Sequence, residues 1–460
     1  MSLNKNLVSF NFNKNKNKRV VVNDFGFYSI LKEHEFGNLL KGENQSKLLV
    51  RNQFFNDRLN LDFLYAGMEK RYNLSWRGPH THIISLTRRC QGECSYCAAS
   101  CTEKGENADL KTVKKIIDFI MGIPQKELFL EFTGGEPSLN IAVLKEAAVY
   151  AKKQAAEKNK KIYFSVVTNL SYEKPEILQC FMDNNITVCS SLDGPPEIHD
   201  ANRNIRGGAG TYSYVFNNLS ILNSAAKKGI IESPSLISTI NKKSLFREKE
   251  IVDEYLKLGI NRVQLGMLEP LGRAEESPDL KITPAEYLEF YRNAVNYILW
   301  LNWKKNIFIY EKGLFLLLYE IMNFDSYSKR SVDVYNRLAY DTKGNIYPSD
   351  EGRIIGENGD ETLKIGSVDE TFENFIKKSE PQAFMLYALN KYLSAHCARC
   401  PYSNWCRTQV FYNYAAQNSF WGNMVTSRRC LVFKGVFDMI FELLQNRKYL
   451  KVFENWMEKG

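Results

Sequence analysis

The sequence lacks long uninterrupted apolar runs. Its first ten residues, MSLNKNLVSF, contain no apolar stretch of the kind found in secretory signals. The most apolar late stretch, LFLLLYEIM, is interrupted by Glu320 and is too short to span a bilayer. A long basic stripe with interleaved aromatics is also lacking, because the formal charge of +9 comes largely from scattered lysines, with one cluster at residues 13–19. We therefore expect a cytoplasmic protein with neither a membrane nor a nucleic-acid partner.

Cysteine is well represented, with ten residues in 460. In a chain of this length without a predicted signal peptide, cysteines indicate metal or redox chemistry rather than disulfides. Seven of the ten form two groups, Cys90, Cys94 and Cys97 and then Cys397, Cys400, Cys406 and Cys430. The other three, Cys101, Cys180 and Cys189, are interpreted as buried or incidental thiols. Two metal centres are therefore predicted.

Between the two cysteine groups, short strand-like runs alternate with helical ones. Six strand candidates occur in order: HIISLT, ELFLEFT, KIYFSVVT, ITVCSSL, PSLISTI and RVQLGML. In the first intervening segment Val113, Ile116 and Ile120 belong to an apolar stripe with helical spacing. This alternation predicts an α/β fold with a parallel sheet, in the form of a partial (β/α)6 TIM-like barrel.

Composition divides the chain into four segments. Residues 1–79 are expected to form a small α+β module, because two apolar runs flank an Asn-Asp turn signal. The barrel is assigned to residues 80–310. Gly, Asp and Cys become frequent in residues 330–435, which favours a loop-rich, metal-stapled domain, and residues 436–460 are expected to form a C-terminal helix.

The first cysteine group, CQGECSYC, has three thiols and follows the first barrel strand. A cubane [4Fe–4S] cluster has four irons that each take one outer ligand, so three thiolates leave one iron open to another molecule. The Cys-x3-Cys-x2-Cys spacing, with Tyr96 before Cys97, resembles the radical S-adenosylmethionine (SAM) superfamily. The alternatives are a zinc knuckle or incidental thiols.

Further motifs occur in the order that this resemblance implies. TGGEP, residues 133–137, ends the second strand; Gly134 and Gly135 let the backbone approach a ligand, and Glu136 is implied to hold the amino group of SAM. Cofactor binding is likewise implied for Asn169, Ser191 and Arg203, the first two near the ribose and carboxylate and Arg203 as a carboxylate partner.

Some of these positions have plainer interpretations. Asn169 and Ser191 are also ordinary residues for turns at strand ends. Asp193 and His199 lie in the same stretch as Arg203, and we interpret them as turn or capping groups rather than catalysts.

The second cysteine group resembles the SPASM or Twitch auxiliary-cluster domain of peptide-modifying radical enzymes. Two positions where a full SPASM domain has cysteine hold Val410 and, after the GNIYP turn, Ser349. The four remaining thiolates are a complete set for one auxiliary [4Fe–4S] cluster, and the C-terminal segment is then an iron–sulfur domain. A zinc ion with four thiolate ligands is the alternative.

The resemblance implies a peptide maturase that abstracts hydrogen through a 5′-deoxyadenosyl radical, and it fits the maturase of the His-Xaa-Ser repeat peptide system. A crosslink in a ribosomal precursor peptide is the expected product, and the N-terminal module is expected to recognise the leader peptide. The implied electron donor is a flavodoxin or a ferredoxin. Two alternatives remain: a sulfatase-maturing dehydrogenase that generates formylglycine, and a non-catalytic, metal-stapled peptide-binding scaffold.

One catalytic side chain is predicted beyond the cofactor ligands. In sulfatase-maturing relatives an Asp that follows the YP-Cys position acts as a base, and this chain retains that neighbour as Asp350. Asp350 is therefore predicted to accept a substrate proton. The alternative is that Asp350 only closes the Ser-Asp-Glu-Gly turn.

Overall fold

The computed structural model describes residues 3, 7–11, 17–44, 46–72, 77–172, 174–323, 336–388, 394–406 and 410–460. Within these ranges, no helix combines the length and apolar character that crossing a membrane requires. The fold is built around one long, mostly parallel sheet with helices packed against it.

The N-terminal segment forms a small α+β unit. Its elements are the strands β1 (Val8–Asn11), β2 (Lys18–Val22) and β3 (Tyr28–Lys32) and the helices α1 (Glu33–Leu40), α2 (Lys47–Arg51) and α3 (Leu61–Tyr72). The three strands pair antiparallel in the order β1-β2-β3. Asn23 makes the predicted turn, because its side-chain oxygen accepts bonds from the Phe25 and Phe27 N–H groups. A separate small core that includes Val21, Leu31 and Phe54 stabilises the unit.

The central segment is a partial barrel, as the alternating pattern predicts. Its six parallel strands are β4 (Thr81–Thr87), β5 (Glu127–Gly134), β6 (Lys161–Thr168), β7 (Ile186–Ser191), β8 (Ser235–Ile240) and β10 (Leu265–Met267). The helices between them are α4 (Leu110–Met121), α5 (Ile141–Glu157), α6 (Pro175–Asp183), α7 (Pro196–Asn202), α8 (Tyr212–Lys227) and α9 (Glu248–Lys257). Val113, Ile116 and Ile120 are buried, which confirms the apolar stripe of α4.

Later strands extend the barrel sheet on its other side. The strand β12 (Arg337–Tyr340) pairs in parallel with β4, and β13 (Asn345–Tyr347) and β14 (Gly366–Ser367) continue antiparallel. A short parallel pair, β9 (Arg262–Val263) with β11 (Tyr310–Glu311), lies beside the last barrel strand. The C-terminal segment is therefore joined to the barrel through the same sheet.

The rest of the chain is mainly helical. Its helices are α10 (Pro284–Lys305), α11 (Lys312–Met322), α12 (Asp350–Glu357), α13 (Phe372–Phe375), α14 (Ser379–Ala388), α15 (Ala395–Ala398), α16 (Val410–Gln417), α17 (Arg428–Leu443) and α18 (Arg447–Lys459). The expected boundary between residues 435 and 436 needs correction, because α17 runs across it. This helix begins where the Ser427 hydroxyl accepts a bond from the Cys430 N–H, so the residues before 436 already belong to it.

Candidate active site

The first cysteine group lies at the carboxyl end of the barrel, in the loop after β4. Parallel strands bring their carboxyl ends to one face of a barrel, where ligands bind. The loop is fixed by backbone bonds to distant parts of the chain: Glu93 N–H donates to the Asn204 carbonyl and Ser95 N–H to the Asn202 carbonyl. Arg273, from the segment after β10, donates to the Cys94 carbonyl at 3.1 Å. The loop is therefore held from both sides of the barrel mouth.

The thiols of this loop form no disulfides, and two of them lie beside hydrogen-bond donors. All ten cysteines of the chain are thiols rather than disulfides. Cys90 Sγ accepts from the Gly92 N–H at 3.3 Å and lies 3.7 Å from Asn169 Nδ2, while Cys94 Sγ lies 3.9 Å from an Arg203 Nη1 donor. Burial first, and the nearby Glu136 carboxylate second, raise the pKa of Cys90 to about 12. Donors that face sulfur would stabilise thiolates bound to iron.

The three thiols are neighbours around Gly92. An added Cβ there would be 3.4 Å from Cys90 Sγ and 3.8 Å from Cys94 Sγ. The charges of Cys94 and Cys97 both act on the Cys90 thiol. A [4Fe–4S] cluster takes one thiolate at each of several separate irons, and three neighbouring thiols fit such a group.

The two glycines of the TGGEP motif allow strand β5 to approach the cysteine loop closely. Gly134 has a φ of +136°, and a Cβ there would lie 2.2 Å from the Thr87 carbonyl oxygen. A Cβ on Gly135 would lie 2.3 Å from the Arg89 carbonyl oxygen. Both positions require glycine, and the reason is contact between the motif and the chain that leads into the thiols.

Glu136 makes several hydrogen bonds within the protein that the TGGEP motif alone does not predict. Its carboxylate is fully buried and accepts bonds from the Ser138 N–H, the Thr168 hydroxyl and the Asn169 N–H at 2.8–3.0 Å. Burial raises the pKa of Glu136. The Ser138 hydroxyl also acts on this carboxylate, so its roughly four acceptor positions are used within the protein. Glu136 therefore ties β5 to β6.

The other predicted cofactor residues occupy neighbouring strand ends. Asn169 directly follows β6, and its side-chain oxygen accepts bonds from the Ser171 N–H and hydroxyl. Ser191 is the last residue of β7 and is half-buried, in register with Ile237 of β8. Asn169 is thus both a turn residue and a neighbour of the Cys90 thiol.

Arg203 belongs to a buried network centred on Asp193. Asp193 has no exposed surface and accepts bonds from the Tyr96 hydroxyl at 2.5 Å, the Thr239 N–H at 3.1 Å and Arg203 Nε at 3.4 Å. The Arg203 guanidinium also lies over the Tyr96 ring, 5.1 Å from its centroid. Asp193 accordingly connects the cysteine loop with strand β8, a function that the sequence interpretation of a turn residue missed.

His199 has a supporting position in the same region. Its Nδ1 accepts from the Asp193 N–H at 3.4 Å, and its Nε2 lies 3.0 Å from the Thr211 hydroxyl. Burial lowers the pKa of His199 to about 4, so this imidazole is neutral at neutral pH. His199 therefore fixes the backbone of Asp193, in agreement with a structural rather than a catalytic interpretation.

Asp350 begins helix α12, whose last turn lies beside the cysteine loop, with Glu357 3.9 Å from Arg88. Arg353 Nε and Nη2 bind one of its oxygens at 2.9 and 2.8 Å, and Arg353 also pairs with Glu357. Ser349, which occupies the position of a missing SPASM cysteine, caps this helix by accepting from the Gly352 N–H at 3.0 Å. Val410 begins helix α16, and its side chain lies outside the described residues.

Asp350 is close to the inside of the barrel, where a polar group of side chains lies. Ser165 of β6 donates to Glu131 of β5 at 3.4 Å. Burial first, and the Asp350 charge second, raise the pKa of Glu131. The Glu131 charge in turn adds to the effect of burial in raising the pKa of Cys189 on β7. The barrel interior therefore carries carboxylates and a thiol beneath the cysteine loop.

The second cysteine group converges on a single pocket. Its four cysteines line this space, which we call the C-terminal thiol pocket, together with His396, Tyr402, Ser403, Phe433, Lys434 and Phe437. Burial raises the pKa of Cys400, and the Tyr402 N–H opposes this by donating a bond to the thiol. Four thiols, a backbone donor and aromatic walls form a suitable donor set for an iron–sulfur cluster.

A charged network connects this pocket with the barrel mouth. Arg429, next to Cys430, binds Glu269 at 2.6 Å, in the segment after β10. The same guanidinium lies 3.5 Å from the centre of the Tyr412 ring, whose hydroxyl donates to Glu351 at 2.6 Å. Glu351 follows Asp350 directly. Sequence spacing carries no signal for this network, since its members are distant along the chain.

Comparisons with known proteins agree with this geometry. Residues 84–239 match the family model described as the radical SAM superfamily. The chain is 27% identical over 189 residues to an uncharacterized protein of Methanocaldococcus jannaschii, with 41% of this chain and 62% of that protein covered. It is 23% identical over 340 residues to a cysteine-type anaerobic sulfatase-maturating enzyme of Clostridium novyi, with 71% of this chain and 86% of the relative covered.

Two solved structures share the fold over most of their length. One is anSMEcpe with bound AdoMet and Cp18Cys peptide, with a TM-score of 0.67, 17% identity and coverage of 82% of this chain and 99% of that one. The other is Streptococcus suis SuiB bound to the precursor peptide SuiA, with a TM-score of 0.56, 14% identity and coverage of 92% and 98%. We conclude that the chain is an enzyme that carries a radical SAM domain over residues 84–239, the part that the family model matches.

Proposed function

We propose that this enzyme modifies a ribosomally made precursor peptide by abstracting hydrogen from one of its residues, and that the product is an intramolecular crosslink. The observation that carries this proposal is the position of Asp350. Its charge acts on Glu131 of strand β5, and the helix that Asp350 begins ends beside the three-thiol loop, where Glu357 lies 3.9 Å from Arg88. A proton acceptor is therefore proposed on the same side of the barrel as the place where the radical would form.

The cofactor site is assigned to the residues at the barrel mouth. Cys90, Cys94 and Cys97 would hold the [4Fe–4S] cluster, which with SAM supplies a 5′-deoxyadenosyl radical when bound. The chain's own part is to orient SAM through Gly134, Gly135, Glu136, Asn169, Ser191 and Arg203. Asp193 pairs with Arg203 and aims it at the Cys94 side of the loop. The charged Arg203 fork suits a carboxylate.

Crosslinking also requires that the substrate lose a proton and an electron. Asp350 is proposed to accept the proton, and its pairing with Arg353 holds the carboxylate in a fixed orientation for this purpose. The electron would pass to a cluster in the C-terminal thiol pocket. A flavodoxin or a ferredoxin is proposed as the external electron donor for the radical cluster.

The N-terminal unit is proposed to bind the leader part of the peptide. A groove runs along strand β3 and is lined by Phe27, Tyr28 and Ile30 on one side and by Leu48 and Phe63 on the other. Within the described residues, β3 is an edge of its three-stranded sheet. An extended peptide can add to such an edge through backbone bonds while its side chains enter the groove. The peptide-bound state of SuiB supports a peptide substrate by likeness of fold.

A sulfatase-maturing activity is the second candidate. It is favoured by the Clostridium novyi relative, a sulfatase-maturating enzyme, and by the retention of Asp350. It is opposed by Ser349, which is buried and serves as a helix cap where those enzymes are expected to have a cluster ligand. A non-catalytic scaffold, the third candidate, would produce no deoxyadenosine.

The experiment is co-expression with a short peptide encoded by a neighbouring gene, followed by mass spectrometry. A crosslink removes two hydrogen atoms from the peptide without changing its other atoms, and fragmentation fails between the joined residues. A Cys94→Ala variant provides the inactive control. An unchanged peptide, together with oxidation of a sulfatase peptide cysteine to formylglycine, would contradict the crosslinking proposal and favour the second candidate.

A further inference from the structure

The C-terminal thiol pocket is lined by a positively charged side chain, Lys434, together with the four cysteines. Its Nζ donates to His396 Nε2 at 2.9 Å, and His396 directly precedes Cys397. An ammonium group can only donate hydrogen bonds, so the ring nitrogen is the acceptor. This bond holds the ammonium group beside the cysteines.

The charge of Lys434 lies in the same space as the thiols. Its side chain and all four cysteines line the C-terminal thiol pocket. Asp438, one turn further along helix α17, is a nearby counter-charge, and it accepts a bond from the Tyr402 hydroxyl. Among the described residues, Lys434 lines the pocket and Asp438 does not.

The surroundings of the pocket preserve this effect. Phe433 and Phe437 form part of its wall, and Trp405 and Tyr402 are buried against Phe437. Coulombic interactions are stronger in such a medium than in water, because the effective dielectric constant falls from about 80 to about 20 or less. Reduction by one electron makes a cluster more negative by one charge. A fixed cation beside it stabilises the reduced state more than the oxidised state.

We propose that Lys434, oriented by His396, raises the reduction potential of an iron–sulfur cluster in the C-terminal thiol pocket and so makes that centre an electron acceptor. This inference rests on the proposed function in one respect, namely that the pocket holds iron. The balance is complete within the proposed reaction. After hydrogen abstraction, the substrate radical would lose one electron to the oxidised cluster and one proton to a carboxylate, and the reduced cluster would pass that electron to an external electron-acceptor protein, which returns it to the oxidised state.

The test is a redox titration of the C-terminal cluster, followed by electron paramagnetic resonance. The full-length Cys90→Ala, Cys94→Ala, Cys97→Ala variant serves as the parent, so that only this cluster contributes signal. Adding Lys434→Gln should decrease the ratio of reduced to oxidised cluster about tenfold at a fixed potential, which corresponds to about 59 mV for one electron. Lys434→Arg should retain most of the parent potential, because it keeps the charge. Lys451→Gln, at an exposed site on helix α18, is the matched charge control and should change nothing.

The outcomes separate the inference from the proposed function. An unchanged potential in Lys434→Gln, with an intact signal, would overturn the inference and leave the iron assignment standing. A parent with zinc and no reducible signal would contradict the iron assignment itself, and with it this inference. If Lys434→Gln does not load iron, His396→Phe carries the test, since loss of the acceptor should lower the potential by a smaller amount; an unchanged value there would also overturn the inference.

Discussion

Among the single residues, Asp350 shows how a carboxylate can be both structural and reactive. It occupies the first position of helix α12, where negative charge is favourable, and its side chain is 30% exposed. Arg353 is almost fully buried and binds Asp350 and Glu357 together. The turn interpretation and the catalytic interpretation therefore describe the same geometry, and only a chemical readout separates them.

Replacing Asp350 with Asn should preserve the shape of the turn and remove the base. We expect deoxyadenosine to remain detectable, while peptide product falls by a factor of about 100 or more, the usual scale for loss of a general base. The measurement is the ratio of modified peptide to deoxyadenosine by liquid chromatography and mass spectrometry.

The control for that prediction is Glu361→Gln. Glu361 lies in the same segment and pairs with Lys364 on the surface, so its loss should leave the ratio unchanged. A folded Asp350→Asn enzyme with the product yield of the unmodified chain would reject a catalytic function for Asp350.

Asp193 is expected to be the most sensitive buried charge at the barrel mouth. Asp193→Asn leaves the Arg203 guanidinium without its buried partner and places an amide among donors, which should lower the free energy of unfolding by about 3–5 kcal/mol. Denaturant unfolding of the unreconstituted chain measures this change. Asp183→Asn, at an exposed position on helix α6, should stay within about 0.5 kcal/mol. Equal effects of the two substitutions would show that Asp193 does not organise the site.

Prediction from the sequence succeeded at some residues and failed at others for a physical reason. That Gly134 and Gly135 allow a close approach of the backbone could be predicted, although the motif was interpreted as an approach to a ligand and the structure shows contact with the Thr87 and Arg89 carbonyl groups. The function of Asp193 could not, because a carboxylate shortly before a helix start has the same sequence pattern whether it is exposed or buried. Its bonds to Tyr96 and Thr239 depend on the folding of distant segments.

Among the secondary-structure elements, the junction between β5 and the cysteine loop leaves no room for a side chain at Gly134. Gly134→Ala should lower the free energy of unfolding by about 1–3 kcal/mol, because its φ is unfavourable for any other residue. Binding of SAM should weaken as well, since the Cβ would push against the Thr87 carbonyl. Thermal unfolding and calorimetric titration with SAM measure the two effects.

A second glycine provides the comparison. Gly37 lies within helix α1 and an added Cβ meets nothing within 4 Å, so Gly37→Ala should be neutral or slightly stabilising. If both substitutions leave stability and SAM binding unchanged, then neither property depends on the close approach of β5 to the cysteine loop.

The strands were easier to predict than the helix boundaries. All six barrel strands occur where apolar runs are bounded by turn residues, and in β5, β6 and β7 buried residues alternate with more exposed ones, which gives a period of two. The C-terminal helix was expected to begin at residue 436, whereas helix α17 begins at residue 428. Its first turn, RRCL, contains a cysteine that the sequence analysis assigned to a metal site, and the Ser427 cap just before it was not recognised as a helix start.

For the molecule as a whole, the sheet and the charged network make the barrel and the C-terminal segment one unit. Strand β12 pairs with β4, which leads directly into the cysteine loop. Arg429 of helix α17 binds Glu269, in the segment after β10. Composition changes near residue 330, but the backbone hydrogen bonds between β12 and β4 join the segments on either side of that position. No local pattern could predict the pairing of β12 with β4, because the two strands are far apart along the chain.

This arrangement predicts two iron–sulfur centres in one folded chain. Anaerobic reconstitution should give about eight irons per chain, and changing Cys90, Cys94 and Cys97 to Ala should remove about half of them. Iron and zinc analysis by mass spectrometry provides the measurement. About four irons with one zinc in the unmodified chain would establish the zinc alternative for the C-terminal thiol pocket.

Radical chemistry with SAM at the three-thiol loop is the property on which every other assignment depends. It is measured directly by the formation of 5′-deoxyadenosine by the anaerobically reconstituted enzyme with SAM and dithionite, compared with Cys94→Ala and Cys400→Ala. We expect deoxyadenosine from the unmodified chain, none from Cys94→Ala, and retained formation in folded Cys400→Ala. Absence of deoxyadenosine from an unmodified chain that carries its full iron content would rule out this chemistry at the loop.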